Sequence, residues 1–177
     1  MLLIDLDLHK PACRKIMEHP VPKHWVNDVI RGSVPLAKAV NTDKLGRMDM
    51  LFAKHCGPRD TNELINSSGL NELLVQSREQ YDFVVIDLPP MGVVPDPEAV
   101  MEYADGSLLV VRQNGMRAAD LNRAIRDLQR GRAKMLGCVL NDVISTAVFS
   151  GEGYGVGYGR YGRYGRYAAY AAKHDKQ

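Results

Sequence analysis

YDFVVIDLPP, running from Tyr81 to Pro90, carries four consecutive apolar residues, Phe83 to Ile86, of the β-branched and aromatic types that suit a strand. A short unbroken apolar run of this kind predicts a strand buried on both faces, as in a parallel sheet. Asp87 stands where that strand should end, and the Pro89-Pro90 pair behind it stops any helix or ladder. In open α/β sheets ligands bind beyond the carboxyl ends of the strands. An acid at that point is placed to hold a Mg²⁺-bound water beside a nucleotide. A strand-end carboxylate capping a nearby loop fits the stretch equally well.

The first segment, MLLIDLDLHKP from Met1 to Pro11, is a second apolar strand that ends in acid, with Asp5 and Asp7 two residues apart. Residues i and i+2 of a strand share a face, so both carboxylates point the same way while the chain stays extended. Like charges that close repel unless a cation or a shared proton compensates them. A divalent metal with oxygen ligands is the natural compensator. Two strands each ending in acid therefore predict one nucleotide–metal site.

Between and beyond these strands the spacing predicts helices over His24–Arg31, Pro35–Val40 and Leu70–Gln80, with Leu70, Leu73, Leu74 and Ser77 on the buried stripe of the last. A short strand is expected over Met48–Ala53, and a brief helix capped by Asp60 or Thr61 and running through Ile65. Lys10–Lys23, with three prolines, reads as a polar connector, and Trp25 as an anchor between elements. After the central strand come a helix over Pro97–Ala104, a buried strand over Ser107–Val111, an amphipathic helix over Ala118–Arg130 and a last strand over Met135–Leu140, ending at Asn141. Strands alternating with helices predict an α/β fold, a parallel sheet with helices on both faces.

At 177 residues with 45% hydrophobic content the chain suits one domain plus a tail. No apolar run approaches a bilayer's thickness and no secretory signal is visible. The three cysteines, Cys13, Cys56 and Cys138, are widely spaced and favour reduced thiols; His55-Cys56 reads as a loop, not a metal pair. Of 23 basic residues five lie beyond Ser150, against two of the 21 acids, so residues 1–149 carry a net −1 although the whole chain is +2. The basicity belongs to the tail. There, Gly151–Ala172 holds a near-repeat of Tyr, Gly and Arg, with Tyr154, Tyr158, Tyr161, Tyr164, Tyr167 and Tyr170, six of the chain's eight tyrosines. Its glycines deny it a stable helix, and disorder is expected. Such a segment suits a bland linker, a base-stacking and phosphate-neutralising arm, or a set of accessible phosphoryl acceptors.

Taken together, these segments resemble the cytoplasmic kinase domain of the bacterial tyrosine kinases (BY-kinases) of capsule and exopolysaccharide synthesis, within the deviant P-loop NTPases. LLIDLDLHKP resembles the family's Walker A′ motif and VVIDLPP its Walker B motif; ADGSLLVVR and GCVLND follow in the family's order, and the tyrosine cluster is its hallmark. The resemblance implies ATP and Mg²⁺ as cofactors, Asp5, Asp7 and Asp87 as catalytic acids, and Asp87 with Asp5 at the metal. It implies nucleotide contacts from Asn141 and Arg112, and phosphorylation of the six tail tyrosines. It further implies a membrane adaptor or polysaccharide co-polymerase as partner, a ring-like homo-oligomer whose neighbours supply the tail tyrosines, and a place at the inner face of the cell membrane. His9 stands where the family usually has Arg. Nothing matches the Gly-rich Walker A motif G-x-x-x-x-G-K-[ST], nor the family's basic subunit-packing helix. The expectation is an incomplete P-loop-type kinase domain over 1–149, inactive alone and exposed beside Leu2–Leu6, with a tyrosine-cluster tail over 150–177. A non-catalytic partition-type ATPase relative or scaffold, and a nucleic-acid binder using the Arg/Tyr tail, are the alternatives.

Overall fold

Leu2, Ile4, Leu6 and Leu8 alternate with polar or half-buried residues, and all four are fully buried in one apolar cluster. A computed structural model describes residues 1–113 and 115–143. The tail expected over 150–177, with its six tyrosines, lies outside the described residues. The apolar alternation forms β1 (Leu2–Asp5), one of the two inner strands of a four-stranded sheet. β1 pairs in parallel with β3 (Asp49–Leu51) on one side and β4 (Val84–Asp87) on the other. A two-residue strand, β2 (Asn41–Thr42), adds an antiparallel edge to β3, which the sequence pattern does not reveal.

One face of this sheet carries the main core. Packed there are α2 (Val26–Ile30), α3 (Leu36–Ala39), α4 (Pro58–Ile65) and α5 (Ser68–Gln80), whose buried residues join those of β1. The expected stripe on α5 is realised: Leu70, Leu73, Leu74 and Ser77 are its buried residues. Ser67 caps α5 by accepting from the Leu70 amide, and the buried Ser77 hydroxyl donates to the Leu73 carbonyl, which satisfies it inside the core. α5 approaches α2 so closely at Gly69 that a Cβ there would stand 1.9 Å from the Ile30 carbonyl oxygen. α4 begins earlier than expected. Pro58, with no amide to satisfy, opens it behind Gly57, leaving Asp60 and Thr61 inside the first turns.

The opposite face is covered where Leu3, Met50 and Phe52 meet Cys13 and Trp25. Cys13 opens α1 (Cys13–Ile16), a single turn within the segment expected to be a plain connector. Trp25 is the expected anchor between elements. This cover stops short of β4. Val84 and Ile86 pack against the main core, but Val85 is 49% and Phe83 71% exposed. The double-sided burial expected of this strand is thus corrected: its inward residues face the core, and among the described residues no helix covers their neighbours on the other face. The exposure expected beside Leu2–Leu6 falls on this neighbouring strand, where Val85 is in register with Leu3.

α6 (Asp96–Met101) leads to a separate parallel pair, β5 (Gly106–Arg112) and β6 (Lys134–Asn141), joined by α7 (Ala118–Arg130). Leu109, Ala124, Leu128, Ala133 and Met101 form their own buried cluster. A bulge leaves Leu136 without a register partner between Met135 and Gly137, and its side chain lies over Gly106, where a Cβ would come to 3.0 Å. The architecture is α/β, with parallel strands and helices against both faces of the first sheet. Among the described residues no helix is long and apolar enough to cross a membrane.

Candidate functional site

The parallel register of β1 and β4 sets Asp5 opposite Asp87. Each is the last residue of its strand, so the sheet brings two carboxylates together at its carboxyl end. The pairing continues one step further, with the Leu6 amide donating to the Asp87 carbonyl at 2.9 Å. Leu6 and Leu8 stay in the core beyond the strand's end, which keeps Asp5 and Asp7 on the other side of the chain. The Asp7 amide donates to Asp5 Oδ1 at 3.1 Å, and Asp7 Oδ1 accepts from the Lys10 amide at 2.9 Å. The Walker A′-like turn is thereby folded onto its own acids.

Sequence reasoning missed the fourth member. Cys13, at the start of α1, donates from its amide to Asp5 Oδ2 at 3.3 Å and from its thiol to Asp87 Oδ2 at 3.2 Å. One ligand-type atom from each of Asp5, Cys13 and Asp87 lies within 4.8 Å of the other two. The only sequence signal for Cys13 is a small, apolar-tolerant thiol eight residues after Asp5, inside a stretch whose prolines read as a loop.

Electrostatics follow from this crowding. Asp5 is 1% exposed, and burial first, then the Asp87 charge, push its pKa up to about 7 despite two backbone amide donors. Loss of hydration and the Asp7 charge also raise Asp87, although the residue is exposed overall and the Cys13 thiol acts in the opposite sense. The Cys13 thiol is driven well above its ordinary range by burial, then by Asp5 and Asp87. A cation placed among them would relieve all three. Hard carboxylate oxygens from Asp5 and Asp87 suit Mg²⁺; the sulfur between them does not.

His9, in the same turn, has its Nε2 2.9 Å from Asp96 Oδ2, and Asp96 is buried at the start of α6. The turn is thus tied to α6 through a residue the sequence reading marked only as a departure from the family's Arg. His55 Nδ1 donates to the His9 carbonyl at 2.8 Å, supporting the turn from the loop before α4.

Arg112 and Asn141 are partners in register at the ends of β5 and β6. The Arg112 guanidinium is held by Asp142, with Nε donating to Oδ2 at 2.7 Å, and Asn141 Oδ1 accepts from the Asp142 amide at 2.8 Å. Both sit at one strand end, on the β5–β6 pair, while Asp5 and Asp87 end the β1–β4 pair and Asp7 lies in the turn beyond β1.

No family model matches the chain. Individual proteins do. The kinase domain of VpsO superposes with a TM-score of 0.73 and 30% identity, over 81% of this chain and 70% of that one. The kinase domain of the Escherichia coli tyrosine kinase ETK gives a TM-score of 0.74 at 26% identity, over 89% of this chain and 60% of that one. The tyrosine-protein kinase YwqD of Bacillus subtilis is 29% identical over 143 residues, 80% of this chain. The chain spans 59% of YwqD's length and 20% of a tyrosine-protein kinase from the cps region of Klebsiella pneumoniae. The fold extends to the septum site-determining protein MinD of Pyrococcus horikoshii, solved with Mg-ADP (TM-score 0.60, 18% identity, 78% of this chain and 56% of that one). The order of the acid-ended strands, their shared register and these likenesses agree: the chain belongs to the bacterial tyrosine kinase (BY-kinase) cytoplasmic domains.

Proposed function

We propose that the chain is the acid- and metal-bearing part of an ATP-dependent protein-tyrosine kinase domain that regulates capsular or exopolysaccharide synthesis and export. The observation that carries this reading is the Asp5–Asp87 register at the carboxyl end of two parallel strands, with Asp7 folded beside them. In it, Asp87 and Asp5 would hold Mg²⁺, and Asp7 would accept the phenolic proton of an incoming tyrosine. Bound magnesium would supply neutralisation of nucleotide phosphate charge. The rest is positioning: amide donors fix Asp5, and the His9–Asp96 contact fixes the turn that carries Asp7. Arg112 and Asn141 are the proposed nucleotide contacts. The proposed phosphoryl acceptors are Tyr154, Tyr158, Tyr161, Tyr164, Tyr167 and Tyr170 of a neighbouring copy in a ring-like homo-oligomer. The partner is a membrane adaptor or polysaccharide co-polymerase at the inner face of the membrane.

The 177 residues contain no Gly-rich Lys-Ser/Thr loop, and we take them to be incompetent for ATP on their own. Such a loop supplies several charge-assisted hydrogen bonds, each worth roughly 1.5–3 kcal/mol. Losing three weakens binding by about three orders of magnitude or more, at about 1.4 kcal/mol per tenfold. Isothermal titration with Mg-ATP tests this on the chain and on a version preceded by a strand–loop–helix carrying G-x-x-x-x-G-K-[ST]. Micromolar binding to the extended version and none of that order to the chain is expected, with phosphotransfer to tail tyrosines in the former. Micromolar binding by the chain alone overturns the incompetence. An extended version that binds Mg-ATP and transfers nothing to tyrosine overturns the kinase reading in favour of a partition-type ATPase or scaffold.

A further inference from the structure

We propose that Cys13, Asp5 and Asp87 form a binding site for a thiophilic divalent cation, Zn²⁺ before others, at which Mg²⁺ competes poorly. Three side chains from three places in the sequence, the end of β1, the start of α1 and the end of β4, converge so that their ligand atoms lie within 4.8 Å of one another. Of these, Cys13 Sγ and Asp87 Oδ2 are 3.2 Å apart. In a tetrahedral zinc site, with Zn–S near 2.3 Å and Zn–O near 2.0–2.2 Å, neighbouring donors stand about 3.5 Å apart. The triangle therefore needs only a small adjustment to close on the ion.

The donor set selects the ion. One sulfur and two carboxylates suit zinc, whereas Mg²⁺ demands near-octahedral oxygen ligation and keeps much of its water. Three protein ligands leave a fourth position for water or an added ligand, and Asp87, the exposed member, gives that position its way out. The thiol is held in place independently of any metal, because the Cys13 amide is bonded to Asp5 Oδ2. Burial raises the pKa of all three groups first, with Asp87 adding to it at Asp5, Asp5 and Asp87 at Cys13, and Asp7 at Asp87; a bound cation would offset these costs of placing negative charge here. On binding, the S–H bond breaks, an S–Zn bond forms and the proton leaves to solvent; nothing is oxidised or reduced. The inference stands whether or not the chain is a kinase. In the kinase reading it makes Zn²⁺ an antagonist at the magnesium position.

The test titrates the 177-residue chain with Co²⁺ as a spectroscopic stand-in, then with Zn²⁺ and Mg²⁺ as competitors, without nucleotide. The expected result is a thiolate-to-cobalt charge-transfer band that Zn²⁺ abolishes at equivalence and that millimolar Mg²⁺ leaves in place. Cys13→Ser should lose the band and weaken Zn²⁺ about tenfold or more. The double variant Cys56→Ser/Cys138→Ser should keep the band. Asp87→Asn, which leaves the thiol intact, should also weaken Zn²⁺, and it decides the matter if Cys13→Ser fails to fold by circular dichroism. A band that survives in Cys13→Ser or vanishes in the double variant overturns the site. So does Zn²⁺ affinity unchanged in Asp87→Asn, or displacement of Co²⁺ by Mg²⁺ as effective as by Zn²⁺.

Discussion

Replacing Asp87 by Asn should make the metal-free protein more stable at pH 8 and leave it nearly unchanged at pH 4. Asp5 has a pKa near 7 in the folded chain against 3.8 for a free carboxyl. The folded state therefore binds more protons than the unfolded one between those values. Stability is full below about pH 4, falls as pH rises towards 7, and is level above it. At about 1.4 kcal/mol per unit, the wild-type loss across this window is on the order of 4 kcal/mol. Part of it is repulsion from Asp87, whose ligand oxygen lies within 4.8 Å of that of Asp5. At an effective dielectric of about 20 that pair is worth about 3 kcal/mol, and solvent screening at the exposed Asp87 brings it to about 1–3 kcal/mol. The introduced amide side chain keeps an oxygen for the Cys13 thiol, so the change removes charge and little else. Urea denaturation of both proteins from pH 4 to 9 in the presence of chelator measures the difference. A variant gain that is the same at pH 4 and pH 8, or a variant less stable at pH 8, would refute the reasoning.

In the presence of a complete kinase of this family, phosphate should fall mainly on Tyr154–Tyr170 and not on Tyr81. The Tyr81 hydroxyl donates to Asp49 Oδ2 at 2.8 Å and its pKa is pushed up to about 12 by burial and that contact; mass spectrometry of the tryptic peptides decides. Gly69→Ala should cost about 2 kcal/mol or more in urea unfolding, since its methyl would meet the Ile30 carbonyl and force α2 and α5 apart. Ser67→Ala should cost about 1 kcal/mol by the same measurement, with the loss of a single helix cap.

Period and punctuation made most of the fold legible. Leu70, Leu73, Leu74 and Ser77 at helical spacing gave α5 its buried stripe, and the acid-ended apolar runs gave β1 and β4 with their carboxylates at one end of a sheet. α1 and β2 were not legible, because a single turn and a two-residue strand carry no period to detect. The open face of β4 was misread since an unbroken apolar run looks the same whether or not a helix covers each side. Asp5, Asp7 and Asp87 were placed by chemistry at strand ends. Cys13 and the His9–Asp96 contact were not, because both depend on where loops return in space, and residue spacing does not encode that.

The thiol of Cys13 meets its acceptor across 74 residues of chain, and β1 finds β4 across a similar span. Such closures come late in folding, after local helices and short-range pairs have formed, because the entropy of the intervening loop is lost before the contact repays it. The acid cluster, with the His9–Asp96 contact that spans 87 residues, should thus be among the later things this chain completes. Cys13 supplies a clock for that event. A thiol reagent added at increasing times after dilution from denaturant would label it freely at first and then hardly at all, and the moment of protection would mark the arrival of Asp87.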